Sequence, residues 1–171
     1  DPSARMVELG PGGPDLAIRY GDGRWPGMVA EKLLDNTFVP ACSPLLGLHD
    51  VNELPRHSLI HFHSPVIGSG PVDWAGWQKL AKVPGLDVSA GLVFSDETHA
   101  VSAAVGAQGV ALMSRELIED ELAAGRLVQP FGPEIKGKAF YLVYPESRKN
   151  EPTIQAVRDW VMAVPGGVCT L

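Results

Sequence analysis

Residues 93–131, VFSDETHAVSAAVGAQGVALMSRELIEDELAAGRLVQPF, constrain this chain more than any other stretch. They read as strand, helix, strand, helix, strand with almost no spare residues. The first strand ends at Phe94, and Ser95, Asp96, Glu97 and Thr98 stand where the next helix begins. A helix entered from the carboxyl end of a strand turns unpaired backbone N–H groups toward a ligand. In open α/β sheets such loops are where small molecules bind. The block therefore predicts a small-molecule-binding α/β domain.

The rest of the chain fits that class. At 171 residues it is long enough for one domain or two small ones, and its 45% apolar content is that of a folded protein. Its 14 basic residues are scattered among 20 acidic ones, for a net charge of −6. Phosphate binding needs clustered Lys and Arg, so nucleic-acid binding by this piece itself is not expected. No apolar run is long enough to cross a bilayer, and no signal-peptide pattern opens the sequence. Cys42 and Cys169 form no metal or redox motif, and a cytoplasmic location is expected.

The pattern along the chain alternates. Residues 3–9 have helical spacing, closed by GPGGP from Gly10 to Pro14. Asp15–Tyr20 reads as a strand, followed by the turn-rich loop GDGRWPG. Met28–Leu34 and Thr37–Cys42 read as two strands joined by a turn at Asp35 and Asn36. Pro44–Pro55 is a connector with one helical turn near Pro44. Ser58–His63 is a strand, and Asp73 caps a helix whose Trp74, Trp77 and Leu80 share a face. Ser114 caps a helix over residues 115–124 that Gly125 stops. Leu127–Phe131 and Ala139–Pro145 are strands. The last helix, Glu151–Val164, places Ile154, Val157, Trp160 and Val161 at core spacing. Strands alternating with helices predict mostly parallel sheets.

Six phrases, in order, resemble the effector-binding domain of LysR-type transcriptional regulators. They are DLAIRYGDGRWPGM from Asp15, EKLLDNTFVPACSPLL from Glu31, WAGW from Trp74, AQGVAL from Ala107, LAAGRLVQPF from Leu122 and AFYLVYPESR from Ala139. The IRYGDGRWPG loop with the GRLVQPF and FYLVYP strands is similar to the subgroup of the glycine-cleavage activator. The resemblance spans about Arg5 to Ala163. It implies an α/β, periplasmic-binding-protein-like fold: two Rossmann-like subdomains joined by two crossover strands, with an effector held in the cleft between them. Subdomain I would hold 1–57 plus 132–171 and subdomain II 58–131, with crossovers near Leu59–His63 and Leu127–Phe131.

Measured against the family pattern, the chain matches from that subdomain's second helix onward, so the first β-α-β of subdomain I and the winged helix-turn-helix are expected to be missing. DNA contact would then come only through that missing N-terminal domain. The intact protein would be a homodimer or tetramer. Uncovered apolar sheet edges predict either rearranged association of this chain or poor order near Asp1–Pro14.

The resemblance places Arg19, Tyr20 and Gly21 at the cleft, where Arg19 could clamp a carboxylate through two hydrogen bonds. Ser95, Asp96 and Thr98 are effector candidates on the facing loop, with helix capping as the competing role. Asp96 and Glu97 oppose an anion and suit an amine. The effector expected is an amino acid or a small carboxylate. Tyr141 resembles a cleft tyrosine of the family, against core packing beside Phe140 and Leu142. His61 and His63 share a strand face and His99 follows Thr98, but their spacing is no metal-ligand motif. His63 remains an effector candidate. Trp25 is expected to anchor its own loop. No metal, cofactor or catalytic residue is expected. A hydrolase built on Ser69 lacks the G-x-S-x-G elbow. A transport-type solute-binding protein shares the architecture and is the alternative to a regulator.

Overall fold

A computed structural model describes residues 7–10, 12–62 and 72–163. Among them the order is β1 (Ala17–Gly21), β2 (Met28–Ala41), β3 (Leu59–Phe62), α1 (Trp74–Ala81), β4 (Leu92–Phe94), α2 (Glu97–Val105), β5 (Val110–Ser114), α3 (Glu119–Ala123), β6 (Ile135–Pro145) and α4 (Pro152–Ala163). Short 3-10 turns cover Pro44–Leu46, Val51–Arg56 and Glu146–Arg148. The expectations for residues 1–6, His63, Ser69 and Cys169 lie outside the described residues.

The six strands are hydrogen-bonded in one series, β1-β6-β2-β5-β3-β4. The sequence pattern predicts mostly parallel sheets. The structure is mixed: β3 runs parallel to β4 and β5, while β1 pairs antiparallel with β6 and β2 antiparallel with β5. Contacts divide the chain into two compact units, residues 1–36 with 138–171, and residues 37–137. The boundaries fall inside β2 and β6, so these two long strands carry the chain from one unit to the other. This division is by packing, whereas the limits at 57/58 and 131/132 come from the family resemblance.

Unit 2 is built on β3, whose start is held between two glycines. A Cβ on Gly91 would sit 2.1 Å from the Leu59 carbonyl oxygen, and one on Gly109 would sit 2.3 Å from that of Ser58. Only glycine lets the backbones meet there, and Gly91 also takes φ +134°, which L-residues avoid. Helix α2 is made of small residues, and Ala100, Ala103 and Ala104 are buried with Ile60, Ala111, Met113 and Ile118 in the unit's core. Asp73 caps α1 by accepting the Gly76 N–H at 2.6 Å. Trp74 and Trp77 are fully buried and meet edge to face at 5.2 Å. Each indole N–H finds a carbonyl, Ile60 at 3.0 Å and Pro133 at 2.8 Å, as a buried Trp requires. Leu80 does not follow them inward; it is 58% exposed.

Three other predicted elements change. The turn at Asp35 and Asn36 does not form, because β2 runs unbroken through it and buries Asn36. The Glu116 carboxylate accepts the Thr37 N–H at 2.9 Å just beyond. The strand at Leu127–Phe131 reduces to one bridge, Val128 to Cys42. Pro130, two residues on, has no N–H to extend it. The helix after Ser114 begins with a turn over residues 115–118, whose Leu117 N–H donates to Ser114 Oγ at 3.4 Å, and shortens to α3. Cys42 is a buried free thiol, and burial pushes it up to about 11.

Unit 1 centres on an ion pair among α4, β2 and β6. Arg158 donates to both oxygens of Glu31, Nε at 2.7 Å and Nη2 at 2.5 Å. Tyr144 adds its hydroxyl at 2.5 Å. Leu142, Tyr144, Ile154 and Val161 form the buried core around it. The apolar stripe of α4 is narrower than its spacing predicts, since Trp160 is 55% exposed.

Candidate ligand-binding site

In unit 1, β1 and β6 pair so that Arg19 lies opposite Tyr141, Tyr20 opposite Phe140 and Gly21 opposite Ala139. Directly paired residues share a face and neighbours alternate. Arg19, Gly21 and Tyr141 therefore stand on one face and Tyr20 on the other. Trp25 folds onto the first face. Its ring meets Tyr141 edge-on at 5.7 Å, and the Arg19 guanidinium lies 6.0 Å from its centroid, at the outer limit of a cation–π contact.

The loop's glycines make this closure possible. A Cβ on Gly21 would lie 2.8 Å from the Trp25 ring, and one on Gly23 would lie 2.8 Å from the ring of Tyr141. Arg19 is partly committed, because its Nη2 donates to the Val7 carbonyl at 2.7 Å. The Tyr141 hydroxyl has no hydrogen-bond partner among the described residues, and the side chain is half-buried. On the opposite face Tyr20 packs on Phe140 at 5.0 Å, and its hydroxyl accepts the Lys138 N–H at 2.8 Å.

In unit 2, Ser95, Asp96 and Thr98 are exposed at the start of α2. Asp96 is the cap. Its Oδ1 accepts the Thr98 N–H at 2.8 Å and the His99 N–H at 3.4 Å. The Thr98 hydroxyl and these two N–H groups hold the Asp96 carboxyl below its usual value. Glu97 behaves oppositely: burial pushes its carboxyl up, and the neighbouring Asp96 charge adds to the effect. The loop thus offers hydroxyl groups and negative charge, while two of its backbone donors are already taken.

His61 Nε2 lies 2.9 Å from the Ala90 carbonyl, so its ring is tied to the strand edge. Among the described residues no group of three His, Cys, Asp or Glu could hold a metal ion. No helix there is long and apolar enough to cross a membrane. Sequence reading took Glu97 only as a loop charge that suits an amine and passed over Gln129, whose buried Oε1 has no donor among the described residues while its Nε2 donates to Glu134 at 3.0 Å. Neither has a local pattern that signals burial.

The LysR substrate binding domain model matches residues 1–165. The glycine cleavage system transcriptional activator of Escherichia coli K12 is 36% identical over 155 residues, 87% of this chain and 49% of that protein. The HTH-type transcriptional activator AmpR of Rhodobacter capsulatus is 32% identical over 91% of this chain and 52% of that protein. The chain spans about half the length of these curated relatives. Among solved structures, the effector domain of AmpR from Pseudomonas aeruginosa superimposes with a TM-score of 0.69 at 26% identity, covering 86% of this chain and 70% of that one.

Proposed function

The chain belongs to the LysR substrate binding domain family, and from that membership we propose that it is the sensing part of a bacterial transcriptional regulator responsive to a small polar metabolite. The family's members are regulators, not enzymes. The observation that carries the proposal is the family match over nearly the whole chain, joined to relatives that are transcriptional activators.

In this proposal the periplasmic-binding-protein-like organisation of the family holds, with subdomain II at 58–131. Two groups contact the effector. Thr98, with Ser95 and Asp96, supplies hydroxyl and carboxylate groups. Tyr141 supplies a phenol without a partner among the described residues, backed by Trp25, Arg19 and Gly21. Tyr20 supports this wall from the other face, and His63 is kept as a contact by resemblance. The effector is an amino acid or small carboxylate. Asp96 and Glu97 favour one that carries an amine. A ligand acts only through its differential affinity for two states of the protein. In this proposal the intact protein is a cytoplasmic homo-oligomer that contacts DNA through a different part, in keeping with the net charge of −6 carried by this chain.

A thermal-shift screen of amino acids and small carboxylates tests this. A specific effector at 100 times its Kd stabilises by about 2.7 kcal/mol. In a chain of this size that raises Tm by roughly 5–10 °C. Thr98→Val and Tyr141→Phe should each weaken the response. The proposal is refuted if no amine or acid shifts Tm, or if both variants respond like the parent.

A further inference from the structure

The parallel strands of unit 2 have two ends. Helix α2 starts beyond the carboxyl end of β4. At the opposite, amino end lies a cavity of about 300 Å³, bordered by Arg56, His57, Leu59, Leu86, Asp87 and Gly91 among others. That volume is the lower end of the range for small-molecule sites, ~300–1,000 Å³. The cavity lies in unit 2 alone. It is separate from the residues assigned above to the effector.

Its charged groups are not equivalent. Asp87 is spent on the loop, accepting the Ser89 N–H at 2.9 Å and the Ser89 hydroxyl at 2.6 Å. Arg56 ends a 3-10 turn and is exposed, and its guanidinium has no hydrogen-bond or ion-pair partner among the described residues. The His57 ring is likewise without a partner there, and only its backbone N–H is engaged, donating to Leu54. Pro55 and Leu86 give the cavity apolar wall. A guanidinium binds a carboxylate through two parallel hydrogen bonds. The fixed negative charge of Asp87 disfavours ligands with a second negative charge.

We propose that this cavity is a second ligand site, taking a small organic monocarboxylate whose acid pairs with Arg56 and whose apolar body lies on Pro55 and Leu86. The site sits where α/β sheets seldom bind their main ligand, at the amino ends of the strands. It therefore adds to the effector site and does not depend on it.

Amide NMR of the 171-residue chain titrated with benzoate tests the assignment. Saturable shifts are expected at Ser58, Gly85 and Gly91. Arg56→Gln, an exposed change that leaves the fold intact, should weaken benzoate at least about tenfold, as loss of a charge-assisted hydrogen bond does. Inorganic phosphate, which has no apolar body, should bind more weakly than benzoate. The proposal is overturned by any of four results: no saturable shift, shifts confined to residues 95–98, unchanged affinity in Arg56→Gln, or phosphate binding as tightly as benzoate.

Discussion

Replacing Glu31 with Ala should be among the costliest polar substitutions in unit 1. Its carboxylate takes two hydrogen bonds from Arg158 and one from Tyr144, all between 2.5 and 2.7 Å. The Glu31 and Arg158 side chains keep 21% and 32% of their exposure, so the pair is mostly but not fully desolvated. Breaking a buried pair by removing one partner costs about 3–5 kcal/mol, and an exposed pair is worth about 0–1. Water can still reach Arg158, which moves the expected cost to about 3 kcal/mol. The Tyr144 hydroxyl, on a residue only 3% exposed, also loses its acceptor. At about 2–4 °C per kcal/mol for a chain this long, Tm should fall by roughly 6–12 °C.

The effect carries a pH signature. The Arg158 hydrogen bonds hold the Glu31 carboxyl below its usual value against an opposing desolvation, and the Tyr144 hydrogen bond and the Arg158 charge add to the lowering. A depressed folded value means the stabilisation is complete above the unfolded value of about 4.5 and is lost as pH falls through the folded one. Urea melts of the parent and Glu31→Gln should differ by a constant amount between about pH 6 and 8, and converge as pH drops below about 4.5. A double-mutant cycle with Arg158→Ala should show favourable coupling between the two residues. A Glu31→Ala chain within about 0.5 kcal/mol of the parent, or a difference that grows on acidification, would sink this account.

Gly91→Ala should cost at least about 3 kcal/mol, because the new Cβ meets the Leu59 backbone oxygen at 2.1 Å and the backbone holds φ +134°; soluble, fully stable protein would contradict this. Trp77→Ala should cost about 4 kcal/mol in urea melts, whereas Trp160→Ala, at a site 55% exposed, should cost under about 1 kcal/mol; equal costs would show that burial is not what separates them.

What could be read from sequence was local chemistry reinforced by pattern. Asp73 caps its helix as its position predicts, and Asp96 takes the capping role that competed with effector contact in its loop, since a side-chain oxygen beside a free N–H needs no tertiary help. Strand β3 follows from the alternation within Ser58–His63, and β4 and β5 follow from short apolar runs between turn signals. The failures share a tertiary cause. Asp35 and Asn36 have turn propensity, yet strand pairing beyond them and the Glu116 clamp on Thr37 carry β2 through. Leu80 and Trp160 have the right helical period, but the period cannot tell how wide a stripe the sheet covers. The site was legible to the same degree. Strand alternation sets Tyr141 apart from Phe140 and Leu142, and strand register separates Arg19 from Tyr20. That Trp25 closes on Tyr141 depends on Gly21 and Gly23 being in contact with rings that are distant in sequence, which no local pattern reveals.

The passage of β2 and β6 across the unit boundaries also orders events in time. Unit 2 is one uninterrupted run, residues 37–137, and it is complete once that run has been synthesised. Unit 1 draws on both ends of the chain, residues 1–36 and 138–171. Glu31 must wait for Tyr144 and Arg158, 113 and 127 residues later. At about 5–20 residues per second that is a delay of several seconds to tens of seconds. During it the early half of β2 stands without the partners that cover it. The segment with the longest wait is therefore the one most open to capture by another nascent chain.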